Sequence, residues 1–296
     1  MFIWNWGIGL AMGTAVILYL RGWRQQPPAD GYTLLPQHWR IVTFVAAGVV
    51  LALALFSPLH VQATTYFHRH VLQRLLLVAV VPCLFFSGNP LPILYTGLPA
   101  RLQDALARLP QRRPLFCHLV TRLTNPVISW FLFVAAFWLW HDVQINRLLL
   151  QAGWVHRLEN VTLLGTAVGY WWHIMNAWPR WHAPMPPLWR VGYAALGATP
   201  VKLVGLVLLF SPTAVYHYPA EVSFYNLQIT DQSLGAAIEW AVGGIVFTWT
   251  AVLLMRSWLK QEDDKPALPE SAWATKEMML APGFKEKGPI HPNRSM

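Results

Sequence analysis

Cysteine is almost missing from this chain. Cys83 and Cys117 are the only two in 296 residues, and neither belongs to a CxxC or CxxCH motif. A disulfide scaffold, a zinc ribbon and covalently attached haem are therefore excluded. Charge is scarce as well: 12% of residues are charged, where a soluble domain has about 25%. There is no internal repeat and no stretch that reads as a soluble domain. No serine or cysteine stands beside a histidine in a recognisable nucleophile motif, so hydrolase chemistry has no support and no enzyme activity is expected. The N-terminus lacks a basic stretch ahead of its apolar run, which predicts a retained first helix and not a cleaved signal peptide.

What fills the chain is apolar. Hydrophobic residues make up 55%, arranged in runs close to the roughly 20 residues that a helix needs to cross a bilayer. The pattern predicts an all-α polytopic membrane protein, a bundle of seven transmembrane helices. The spans are expected near 2–20, 39–56, 71–87 (broken near Pro82), 126–140, 156–178, 189–210 (kinked at Pro200) and 233–254. Helices are the only reading for such runs, because lipid offers no partner to an open backbone. Residues 1–258 form the transmembrane domain. Residues 100–122 are basic and amphipathic, with Leu102, Leu106 and Leu109 at helical spacing, and are expected along the cytoplasmic surface. Residues 259–296, rich in Lys, Glu and Pro, read as a flexible cytoplasmic tail.

Loop charge sets the orientation. Seventeen Lys and Arg fall in the tail and the loops after spans one, three and five, against Arg69, Arg147 and Arg157 on the other side. This bias places the N-terminus outside and the C-terminus in the cytoplasm. The net charge of +9 is thus a membrane signature, not a nucleic-acid one.

On that map His60, His68, His70, His141, His156 and His217 all fall at the outer ends of spans, joined by Glu159 and Asp231. Neutral imidazole is the commonest ligand of transition metals, and copper heads the affinity order for such donors. His70 and Arg74 share one helix face, as do His156, Glu159 and Asn160. Lys202 and Glu239 both lie about 10 Å inside their spans at 1.5 Å per residue, which predicts an ion pair. Arg74, Glu159, Lys202 and Glu239 are thus a candidate buried ion network. His173 sits among Trp171, Trp172, Met175 and Trp178, which read as an interfacial aromatic belt.

These blocks resemble a known family. His70-Val71-Leu72-Gln73-Arg74 with Pro82 and Gly88-Asn89-Pro90, then Trp140-His141, then His156-Arg157-Leu158-Glu159-Asn160, then Trp171-Trp172 follow one another in order. Tyr216 and Tyr218, and then Asp231-Gln232-Ser233-Leu234-Gly235 with Trp240, complete the series. The chain resembles, from about residue 40 to 255, the multi-span CtaG family of cytochrome c oxidase assembly factors. The resemblance implies a seven-helix fold in a bacterial plasma membrane, oxidase subunits and lipid as partners, and copper handling at an outward-facing site. By position it implies His70, His141, His156 and Asp231 as metal-binding residues, with His60 and His68 as substitutes. It also implies histidine where Arg74 and Asn160 stand here, so the site departs from the pattern twice. Two other readings stay open: a redox or haem protein with His70 and His156 as axial ligands, and a structural subunit with a degenerate site.

Overall fold

The computed structural model describes residues 2–25, 37–109, 113–220, 222 and 229–263. Its secondary structure is helical. In chain order the helices are α1 (Phe2–Arg24), α2 (Gln37–Phe56), α3 (Pro58–Gln62), α4 (Phe67–Leu75), α5 (Val81–Ser87), α6 (Pro90–Gly97), α7 (Ala100–Ala107), α8 (Pro114–Leu123), α9 (Pro126–Trp140), α10 (Val143–Gln151), α11 (Gly153–Ile174), α12 (Pro187–Leu209) and α13 (Asp231–Asp263). Residues 1–258 pack as one unit and residues 259–296 as a second. Within the second, 259–263 are helical; the rest of the expected tail lies outside the described residues.

Among the described residues four helices are long and apolar enough to cross a membrane: His38–Phe56, Phe67–Ser87, Pro187–Leu209 and Asp231–Asp263. The pair Cys117–Leu123 and Pro126–Trp140, bent by 63°, makes a fifth if it is one broken span. The expected amphipathic segment 100–122 is therefore not one helix. It divides into α7 and α8, and α8 leads into the span of α9. At 22 residues α11 is long enough, about 33 Å. It carries His156, Arg157, Glu159, Asn160 and His173, which pull its mean hydropathy down.

The expected break at Pro82 takes a particular form. The run Phe67–Ser87 stays helical throughout, but Leu76–Val80 between α4 and α5 is a turn of π-helix. Proline has no N–H and its ring crowds the carbonyl four residues back, here Val78. The wider turn makes room for the ring. It does not supply the missing donor; Trp171 of α11 does, its indole Nε1–H donating to the Val78 oxygen at 2.8 Å. Trp171 is accordingly fully buried, which corrects the aromatic-belt reading for this residue. Its ring stacks on Phe247 of α13, so one side chain ties three elements together.

The main core runs through α4, α5 and α9–α13, with Phe133, Phe137, Leu163, Tyr170, Trp171, Val201 and Phe247 at its centre. A smaller cluster of Tyr19, Phe44 and Ile93 joins α1, α2 and α6. There α1 and α6 cross at Gly22 and Gly97. A Cβ on either glycine would strike a backbone carbonyl of the opposite helix, Ile93 or Leu18. Close approach through small residues is how helices associate without a hydrophobic drive.

Trp171→Phe should lower stability in detergent by about 1–3 kcal/mol, the cost of a stranded buried acceptor. Adding Pro82→Ala should recover part of it, since residue 82 then brings its own N–H. Thermal unfolding followed by circular dichroism checks both; equal stability of Trp171→Phe and the parent would refute the repair.

Candidate functional site

The ends of α4, α9, α11 and α13 meet around a buried polar cluster. Glu159 of α11 is its centre, with no exposure to solvent. One carboxylate oxygen accepts from Arg74 Nε at 2.6 Å. The other accepts from His70 Nε2 at 2.8 Å. Arg74 is 1% exposed and also donates through Nη2 to the Trp140 carbonyl at 2.9 Å. A guanidinium forked between a carboxylate and a helix-end carbonyl is the arrangement that arginine geometry suits best.

Proton positions follow from what each partner can do. His70 donates from Nε2, so its Nδ1 accepts from Tyr218 Oη at 2.6 Å. Tyr218 in turn accepts from Asn146 Nδ2 at 3.1 Å. Burial pushes the Tyr216 phenol up to about 12 and the Tyr218 phenol up as well, so both stay protonated and able to donate. His156 Nε2 donates to Gln73 Oε1 at 2.9 Å, which leaves its Nδ1 with the lone pair. Gln73 Nε2 donates to the Ala54 carbonyl at 2.7 Å and to His60 Nδ1 at 2.9 Å. His60 accepts and so is neutral; its burial and the charge of Arg157 push its pKa down. The His60 and His156 rings stack at 4.9 Å, and the His70 and His156 rings meet edge to face at 5.3 Å.

A second group adjoins the first. Asp231 opens α13 and accepts from the Phe67 amide at 2.7 Å and from His68 Nδ1. The Phe67 amide is one of the four donors that α4 leaves without a partner at its start. Asp231 thus caps a neighbouring helix while its charge sits at the N-terminus of both. Beside it, Tyr216 stacks on Phe67 and donates to the His141 carbonyl at 2.6 Å. A cavity of about 220 Å³ lined by Phe67, Thr213, Tyr216, Tyr218, Asp231 and Gln232, among others, leads to this group.

The structure brings His60, His70, His156, Arg74 and Glu159 together and sets His68 with Asp231 nearby. His141 stands beside this cluster, one residue past the Trp140 carbonyl that Arg74 holds, with its Nε2 3.0 Å from Glu239. His217 is exposed between buried Tyr216 and Tyr218, as alternation along an extended stretch requires. His70, His156 and Glu159 are the one described group of three donors close enough to hold a metal ion, with ligand atoms all within 4.8 Å of one another.

The expected Lys202–Glu239 pair is not formed. Counting from the helix ends misjudged the register, since Lys202 lies level with Gly244, five residues along α13 from Glu239. Helices α12 and α13 pack antiparallel with Gly205 against Trp240, which brings Lys202 beside Gly244. There it lines a largely apolar groove with Trp240, Ile245, Trp249 and Val252. The buried ion network is therefore Arg74 with Glu159, and Glu239 separately with His141. Gln73 entered the sequence reading only within a family block and Asn146 not at all, although a glutamine one turn from His70 was a usable signal. His173 at the far end of α11 donates from Nε2 to the Thr124 carbonyl at 2.8 Å, a structural bond between α11 and the end of α8.

Comparison with known proteins bears on this arrangement. The family profile described as cytochrome c oxidase caa3 assembly factor (Caa3_CtaG) matches residues 17–261. The chain belongs to that family. No match was found among curated proteins, nor among solved structures.

Arg74→Leu leaves Glu159 buried without its counter-charge and should cost about 3–5 kcal/mol. Arg74→Leu with Glu159→Leu should be more stable than Arg74→Leu alone. Unfolding midpoints in detergent decide; a single variant as stable as the parent would contradict the pairing.

Proposed function

Proceeding from membership in the caa3 assembly-factor family, we propose that the chain handles copper during maturation of a haem–copper oxidase. His70, His156 and Glu159 are the residues assigned to hold it. The observation that carries this reading is the convergence of two imidazoles and one carboxylate from α4 and α11 in one buried cluster. Imidazole suits copper, and the geometry asks for no turnover chemistry. His70 and Glu159 already bond to neighbours through both of their ligating atoms, and His156 through one. An arriving ion must displace some of these bonds, each worth about 0.5–1.5 kcal/mol, or about 1.5–3 where a charge takes part. The Arg74 cation sits on the same carboxylate. Both features weaken retention, which is what a protein that passes its metal on requires.

The rest of the reading follows from charge and hydropathy. The chain crosses a bacterial plasma membrane seven times, with α1 and α11 added to the five apolar spans. Its N-terminus and the histidine site face outward, and its C-terminus faces the cytoplasm. Oxidase subunits are the partners. A haem between His70 and His156 is disfavoured, because the two rings touch edge to face and leave no slot for a macrocycle.

In a host whose caa3-type oxidase depends on this chain, deleting it should lower oxidase activity and the copper content of the purified oxidase. A His70→Gln/His156→Gln variant that still inserts should fail to restore either. Full restoration by that variant would refute copper handling at this cluster and leave a structural role. Arg74→His should retain more copper than the parent after desalting.

A further inference from the structure

No lysine precedes Lys202 in the chain and none follows it before Lys260, and Lys202 stands inside an apolar span. Along the α12 run its Cα lies about 20 Å from Trp189 and about 12 Å from Phe210. Side chains on a helix lean toward its N-terminus, here away from the nearer end. The packing agrees: a Cβ on Gly244 would lie 2.8 Å from Lys202 Cε and 3.2 Å from Nζ. Gly244 is itself about 20 Å into α13. The amine is thus held deep in the span and does not reach back along its own helix to the nearer surface, as lysines near helix ends do.

Among the described residues Lys202 forms no ion pair. Glu159 and Glu239, the described carboxylates in the interior of long helices, are buried and are matched with Arg74 and His141. What surrounds Lys202 is a groove of about 440 Å³, lined by Ala241, Gly244, Ile245, Thr248 and Trp249 among others. Ile245 and Trp249 are 67% and 62% exposed. Ala241, Gly244 and Thr248 recur at spacings of three and four, so they share one face of α13. Small residues on such a face let another helix approach closely.

We propose that this groove docks one transmembrane helix of another chain, a helix that carries an Asp or Glu near its middle. An ionisable group inside a span is costly, and it is retained where it finds an opposite charge. The depth of Lys202 decides which anion. Lipid phosphates lie at the surface, too far out to meet it. A second copy of this chain presents no acid to the groove, because its Glu159 and Glu239 are 0% and 1% exposed. A carboxylate at matching depth on a separate apolar helix does meet it. That acid is as costly alone in lipid as the lysine is, so each chain's unmatched charge is answered only in the complex. Contact with Ile245 and Trp249 supplies the packing. The groove shares no residue with His70, His156 and Glu159, so it stands or falls separately from copper handling by them.

The test is photo-crosslinking in the membranes of the native host, with p-benzoylphenylalanine placed at Ile245 of the full chain and the adducts sequenced by mass spectrometry. The adduct should be a transmembrane segment of another protein with an Asp or Glu in its middle third. Its yield should fall about tenfold when Lys202→Met is added and should persist with Lys202→Arg. Adducts only to lipid or to a second copy, a segment without an internal acid, or a yield that Lys202→Met leaves unchanged would each overturn the proposal. A second measurement guards against misfolding. Purified Lys202→Met should unfold in detergent at or above the parent's midpoint, because the isolated chain offers the lysine no partner. A lower midpoint would assign Lys202 to the fold itself and overturn the docking role. None of these results alters the copper content expected of His70→Gln/His156→Gln.

Discussion

A carboxylate with no route to water must have its charge answered where it sits. Glu159 meets that constraint with Arg74 on one oxygen and His70 on the other. Those contacts fix the register of α4 against α11, because His70, Gln73 and Arg74 on one helix must meet His156 and Glu159 on the other. The same guanidinium reaches the Trp140 carbonyl and so brings the end of α9 into place. Around this centre the remaining polar groups orient one another: Asn146 to Tyr218 to His70, and His156 to Gln73 to His60. A network in which most donors have a fixed acceptor is rigid, and rigidity is what lets a few imidazoles present a defined donor set.

The second constraint is backbone satisfaction in a medium without water. Pro82 removes one donor from the most buried of the apolar spans. The chain answers with a π turn and an indole from another helix. Between α1 and α6, Gly22 and Gly97 let two backbones approach closely, and the core there needs only Tyr19, Phe44 and Ile93. Polar repair in the middle and small-residue contact at the side are two answers to one problem, association of helices that lipid solvates equally well.

Much of this was legible in the residues. Long apolar runs gave the helices, and α9 matches its expected limits, because period and length survive any tertiary context. His70 with Arg74, and His156 with Glu159, were readable as shared faces from spacing of three or four. What sequence could not give was azimuth. Lys202 and Glu239 count to similar depth from their helix ends, yet the packed register separates them by more than one turn, and neighbouring residues on a helix point about 100° apart. Only the packing of Gly205 on Trp240 decides which of them faces the interior. The same blindness hid which partner each imidazole takes, Glu239 for His141 and Glu159 for His70. Helix ends can be placed on one side of a membrane by counting, but which ends touch depends on how the helices are arranged around each other.

The bond between Trp171 and the Val78 carbonyl carries an evolutionary corollary. Two positions far apart in sequence, the proline that frees an oxygen and the tryptophan that claims it, share one selective fate. A lineage that replaces Pro82 relaxes the demand for an indole at 171, while one that keeps the proline cannot drift there freely. Across relatives these two sites should covary although their side chains serve the same atom and not each other.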